Sequence, residues 1–211
     1  MKKIFLFILP IFLLTGCIDI VEEITLNADN SGSVKFYTDM GTLGNFAMSL
    51  GENYMKGTSL DQIKSLPSTA AALLKDVDGI SNIKSTSQKG LYSVSFDFKN
   101  SKQLNDALYK LFNQKKRFYE PAYIKIKKHK IVKKNYAPLL RLFARKYKDQ
   151  LKDNNVLKYI SYKSVFNLPS EVNNFSNKKS TLSADKKKLE FTCTAEDLLT
   201  TNTNIGNKIK Y

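Results

Sequence analysis

Histidine is almost missing from this chain: its one copy, His129, sits inside a lysine run, where positive neighbours disfavour a divalent metal beside it. His-based catalytic triads and His-rich metal sites are thereby excluded, and His129 itself reads as a partly exposed strand residue. Glycine-rich phosphate loops, the Gly-x-Ser-x-Gly turn and zinc-type spacings are absent too. Acidic residues are few, 19 Asp and Glu against 34 Lys and Arg. The pairs Glu22-Glu23 and Glu196-Asp197 are neighbours in sequence rather than the convergent carboxylates that glycoside hydrolysis needs. These absences set the expectation of a protein that is not an enzyme and uses no cofactor or metal. No apolar run is long enough to cross a bilayer: Ile4 to Leu14 is short and contains Pro10, whereas a spanning helix needs roughly 20 residues. No repeat and no long Gly/Ser/Pro linker divides the chain, so residues 17–211 are expected to form one domain.

The start of the chain has three parts: a positive beginning at Lys2 and Lys3, the apolar stretch Ile4 to Leu14, and the small pair Thr15-Gly16 before Cys17. This is the pattern of an export signal. Leu14-Thr15-Gly16-Cys17 resembles the lipobox of bacterial lipoproteins. The resemblance implies removal of residues 1–16, a diacylglycerol on Cys17, and a further acyl chain, of the palmitate type, on the new amino group. The competing reading is an ordinary secretory signal with a coincidental cysteine. One acyl chain holds a protein only marginally at about 0.8 kcal/mol per buried methylene, so two or three on Cys17 would make a durable anchor. The expected location is then the bacterial cell envelope, tethered to a membrane and facing the periplasm or the cell surface. With Cys17 acylated, Cys193 has no partner for a disulfide. Its place on the same parity as Leu189 and Phe191 makes it a small buried hydrophobe.

The formal net charge of +15 is unevenly placed. Residues 1–98 carry 8 basic against 10 acidic side chains, residues 99–163 carry 19 against 4, and residues 164–211 carry 7 against 5. Within the basic middle segment, Lys125, Lys127, Lys128, Lys130, Lys133, Lys134, Arg141, Arg145, Lys146 and Lys148 are candidates for one cationic surface that meets phosphates or anionic glycans. The competing reading is a solvated face that keeps the chain soluble, since no aromatic stacking pattern interleaves these residues. Nucleic acid is a poor partner outside the cytoplasm. An anionic membrane or envelope glycan fits better, with each basic side chain near such a surface contributing about 1 kcal/mol.

Hydrophobic periodicity places the elements. Ile18, Ile20, Ile24 and Leu26 alternate with more polar residues, a turn follows at Ala28 to Gly32, and Val34, Phe36, Thr38 and Met40 alternate again: a hairpin. Leu43, Phe46, Leu50 and Tyr54 recur at helical spacing, and a second helical stretch runs from Leu60 to Val77, broken or started at Pro67. Ile80 and Ile83, then Tyr92, Val94, Phe96 and Phe98, predict a second hairpin around Gln88-Lys89-Gly90. Asn100 with Gln103 resembles a capping box opening a helix with Leu104, Leu108, Leu111 and Phe112 on one face. Ile124 and Ile126 share one parity and Ile131 takes the other, so a tight turn or bulge falls at Lys128-His129-Lys130. Pro138 opens a helix with Leu139, Leu142, Phe143, Tyr147 and Leu151 inward. An extended stretch to Phe166, a last hairpin turning at Ala184-Asp185-Lys186, a helical turn at Ala195 to Leu199 and a terminal strand complete the chain. The fold class expected is α+β, with an antiparallel sheet of hairpins and packed helices. The aromatics Phe96, Phe98, Phe112, Phe166 and Phe191 read as core, or equally as the lining of a cavity for an acyl chain.

Two terminal segments carry a family resemblance. Ser164 to Val172 with its Leu168-Pro169 step, then Ser180 to Phe191 with its Ser183-Ala184-Asp185-Lys186 turn, resembles the C-terminal part of the LppM-type lipoprotein domain, and Glu23 to Ser33 resembles its opening hairpin. Lys186 or Lys187 stands where a turn glycine is expected, and Leu168 where an aromatic is common. The resemblance implies an envelope lipoprotein of β-rich α+β fold that binds a lipid or other amphiphile. The alternative is a structural or interaction protein whose basic surface docks on anionic envelope polymers, a membrane or a partner protein. Nothing in the sequence fixes the oligomeric state.

Overall fold

A computed structural model of the protein describes residues 18–41, 59–88, 90–114, 122–145 and 155–211. Cys17 and its signal, the helical pattern at Leu43 to Tyr54, Tyr147, Leu151, Lys146 and Lys148 fall outside these residues. The α+β architecture is as expected. Seven strands form the large sheet: β3 (Ile80–Gln88), β4 (Leu91–Phe98), β2 (Gly32–Asp39), β1 (Ile18–Leu26), β7 (Ile160–Asn167), β10 (Lys188–Thr194) and β9 (Ser180–Leu182), in that spatial order. All neighbours are antiparallel except β1 and β7, which run parallel with Ile18 opposite Ile160 and Ile24 opposite Phe166. A small sheet is formed by β5 (Ile124–Lys127), β6 (Lys130–Lys133), β11 (Asn207–Lys210) and β8 (Asn174–Phe175).

The register puts the apolar parity of every large-sheet strand on one inner face. One row crosses it as Phe96, Val34, Ile24, Phe166 and Leu189, all buried. The next row, Val94, Phe36, Glu22, Ser164, Phe191 and Ser180, contains a carboxylate and two hydroxyls. Covering this face are α1 (Ser59–Leu74), α2 (Ser101–Leu111), α3 (Ala137–Arg145), α4 (Ala195–Thr200) and the inner face of the small sheet, where Ile124, Ile131 and Ile209 are fully buried.

Local chemistry explains the elements. Asn100 caps α2, its side-chain oxygen accepting from Lys102 N–H at 3.0 Å and Gln103 N–H at 3.2 Å. Gln103 lies against Gly79, a glycine with φ 76 where a Cβ would collide with the amide. Inside α2, Asn105 is buried and holds β5 by its backbone: Nδ2 donates to Ile124 O at 2.6 Å and Oδ1 accepts from Ile124 N–H at 3.1 Å. The β5–β6 hairpin turns at Lys128-His129, with His129 at φ 56. His129 is therefore an exposed turn residue and not a strand residue. Lys186 takes the left-handed conformation (φ 55) that a glycine was expected to supply at the β9–β10 turn.

Two further expectations differ from the structure. Pro67 neither starts nor stops a helix but lies within α1, where its ring is buried against the inner face. Among the described side chains of α3, which begins at Ala137, Leu139 and Leu140 pack against the core as inward positions, whereas Leu142 is 57% exposed; the Phe143 side chain lies outside the described ones.

Candidate functional site: an apolar cavity floored by a buried ionic cluster

Between the inner face of the large sheet and helices α1, α3 and α4 lies a cavity of about 540 Å³. Its sheet side is built by Ile20, Glu22, Phe36, Thr38, Tyr92, Val94, Ile160 and Tyr162. Its other walls come from Leu66, Pro67 and Ala70 of α1, Leu111 and Phe112 at the end of α2, Tyr136, Leu140, and Leu198 and Leu199 of α4. The volume lies in the roughly 300–1,000 Å³ range of small-molecule sites. The cavity wall reaches solvent where β1 begins: Ile20 is 43% exposed and Leu66 61% exposed.

A polar cluster begins one inward-facing position further along β1, at Glu22. Glu22 on β1 and Lys133 on β6 are each 3% exposed and face one another across the two sheets, Nζ to Oε2 at 2.5 Å. The same carboxylate oxygen accepts from Tyr136 OH at 2.5 Å and Tyr162 OH at 2.6 Å. Lys133 uses its remaining protons on Ser164 Oγ at 2.7 Å and Tyr162 OH at 3.0 Å, and its ammonium lies over the Tyr136, Tyr162 and Phe166 rings. Tyr136 is held edge-on by Tyr123 and tilted against Phe112, with ring centroids at 6.1 and 6.0 Å. Burial alone would raise the Glu22 carboxyl, but the Lys133 charge and the three donors together hold it below its ordinary value. Three donors on one oxygen leave no place there for a proton. Burial pushes the Lys133 ammonium down while Glu22 pulls it up. Burial, then the Glu22 charge, keeps both phenols well above the ordinary tyrosine value, so they act as donors.

The residues picked out as a cationic surface divide. Lys133 does not belong to it: it is a buried ion-pair partner, because its parity is that of Ile131 and points inward. Arg141 donates to the carbonyls of Leu198 at 3.2 Å and Thr201 at 2.6 Å, tying α3 to the end of α4. Arg145 closes α3, and its side chain is outside the description. Lys128 and Lys134 are exposed. Lys125, Lys127 and Lys130 lie on the outer face of the small sheet, where the register brings in two more lysines: Lys127, Lys130 and Lys210 form one cross-strand row, and Lys125 and Lys208 flank Val132 in the next. None of these five makes an ion pair among the described residues. Lys208 and Lys210 escape notice in the sequence because they are remote from the basic segment.

Cys193 is buried at the sheet face, and burial pushes its thiol up to about 11, as befits a packed hydrophobe. No group of three metal-ligating side chains gathers among the described residues, and no helix among them is long and apolar enough to cross a membrane.

Fold and site thus define an α+β protein with an apolar cavity ending on a buried Glu–Lys–Tyr cluster. No family model matches the chain, and no curated protein matches its sequence. Among solved structures it is similar to the NMR structure of the folded domain of LppM from Mycobacterium tuberculosis, with 7% identity over 92% of this chain and 90% of that chain and a TM-score of 0.43. That identity supplies no residue correspondences, so the roles of the site residues rest on their own geometry.

Proposed function

We propose that the protein is a non-catalytic binding module for an amphiphile whose hydrocarbon part occupies the cavity, working as an envelope protein anchored through lipid on Cys17. The observation that carries this reading is the cavity of about 540 Å³ with almost wholly hydrocarbon walls. Apolar surface left open inside a fold forgoes packing, and a hydrocarbon guest restores it at about 0.8 kcal/mol per methylene. The mouth supports the membrane setting. Ile20 lies three residues beyond Cys17 on an extended strand, roughly 10 Å at 3.3 Å per residue, so an anchor on Cys17 would hold the mouth near the bilayer. N-phenyl-1-naphthylamine, a neutral dye that brightens in apolar surroundings, should bind the purified protein at one site, and mass spectrometry under non-denaturing conditions should find a co-purified amphiphile. A protein that neither brightens the dye nor carries any amphiphile would refute the reading.

A second reading is favoured by the outer face of the small sheet. Five lysines without an ion-pair partner among the described residues share one pleated surface, an arrangement suited to a plane of negative charge, whether head groups of an anionic membrane or an envelope glycan. Binding to vesicles containing phosphatidylglycerol is expected to weaken at least tenfold between 50 and 300 mM salt, roughly a halving of the Debye length. Replacing Lys127, Lys130 and Lys210 by glutamine should flatten that salt dependence. Vesicle binding that ignores both salt and these substitutions would contradict it.

A further inference from the structure

The ionic cluster also bears on which amphiphile the cavity accepts. Lys133 has three ammonium protons, and all three are committed, to Glu22 Oε2, Ser164 Oγ and Tyr162 OH. Tyr136 and Tyr162 each have one proton, and both are directed at Glu22 Oε2. Neither Lys133 nor either tyrosine therefore has a spare donor, and Ser164, whose hydroxyl accepts from Lys133, does not line the cavity. The cluster does have a spare acceptor: Glu22 Oε1 makes no hydrogen bond among the described residues, and Glu22 forms part of the cavity wall. A buried polar atom without a partner is costly, and a ligand group that matches it removes the cost.

The charge of the site narrows the choice. Lys133 already balances Glu22, so a cationic head would enter as an uncompensated buried charge. No Lys or Arg among the described residues lines the cavity, so a carboxylate or phosphate would meet a carboxylate with nothing to offset it. We infer that the head group lodged beside Glu22 in this cavity is an uncharged hydroxyl or amide, donating its proton to Glu22 Oε1, and that chains ending in carboxylate, phosphate or ammonium are rejected. This inference rests on the amphiphile reading of the cavity. It makes Glu22 the specificity-determining residue, with Lys133 and the two tyrosines positioning the carboxylate.

The experiment is displacement of N-phenyl-1-naphthylamine from the full chain by three dodecyl compounds: 1-dodecanol, laurate and dodecyl methyl ether. Dodecanol should displace the dye at a concentration at least tenfold lower than laurate, and several-fold lower than the ether, which has the same oxygen but no proton to give. In Glu22→Gln the preference for dodecanol over laurate should shrink at least fivefold. The ratio of dodecanol to ether in the unsubstituted protein is a second measurement that needs no substitution: equal displacement by the two would overturn proton donation to Glu22. Laurate binding as tightly as dodecanol to the unsubstituted protein would overturn this inference while leaving the amphiphile reading standing. Failure of the dye and of all three dodecyl chains to bind would overturn both.

Discussion

Lys133→Met is expected to destabilise the protein by about 3–5 kcal/mol, the usual cost of stranding one member of a buried ion pair. The Glu22 carboxylate would remain between the two sheets with two phenol donors and no cation, and Ser164 would lose its donor. The double variant Glu22→Leu with Lys133→Met should recover most of the loss, since a well-packed apolar pair commonly matches a buried salt bridge. Tyr136 OH and Tyr162 OH are 2.8 Å apart and would then bond each other. Urea denaturation of the three proteins measures these differences, and a single variant within 1 kcal/mol of the parent would contradict the cluster as described. The pH dependence follows from the same geometry. Glu22 is held below its ordinary value of 4.5 in the folded protein. The stability it contributes is therefore full above about that pH and is lost as the pH falls through the lowered folded value. Glu22→Gln should accordingly be furthest below the parent in stability near neutrality, and the gap should close in acid.

Ala70→Trp is expected to weaken binding of a long-chain amphiphile by about sixtyfold. Ala70 lies one turn beyond Leu66 on the face of α1 that walls the cavity. An indole there displaces room for about three methylenes, worth about 2.4 kcal/mol of transfer free energy. Short chains, which need less of the cavity, should lose far less. Because the chain has no tryptophan of its own, the introduced residue also reports on the cavity directly: its emission should be blue-shifted, as for a buried indole. Equal affinity of parent and variant for long chains would place the hydrocarbon elsewhere.

The strands and hairpins of this fold are written in alternation, and alternation also marked the site, at positions easily passed over. Glu22 stands at the one acidic position in the apolar parity of Ile18, Ile20, Ile24 and Leu26, and Lys133 shares the inward parity of Ile131. A charge on the core side of a strand calls for a partner, and two of opposite sign in different strands form a pairing hypothesis. What sequence could not supply is which strands meet. The parallel pairing of β1 with β7 joins residues from opposite halves of the chain, and it is this pairing that brings Tyr162 and Ser164 beside Glu22. Lys208 and Lys210 reach the lysine face by the same kind of long-range register. Pro67 shows the converse, a strong local signal overridden because its ring is useful as a buried wall of the cavity.

The central claim, that a hydrocarbon chain occupies the cavity, is most directly tested by measuring affinity against chain length. A series of 1-alkanols from eight to sixteen carbons, each displacing N-phenyl-1-naphthylamine, should show Kd falling about fourfold per methylene, the equivalent of about 0.8 kcal/mol, until the cavity is full and the slope levels. Ala70→Trp should level about three carbons earlier. Affinity independent of chain length, or a series that Ala70→Trp leaves unchanged, would contradict the account.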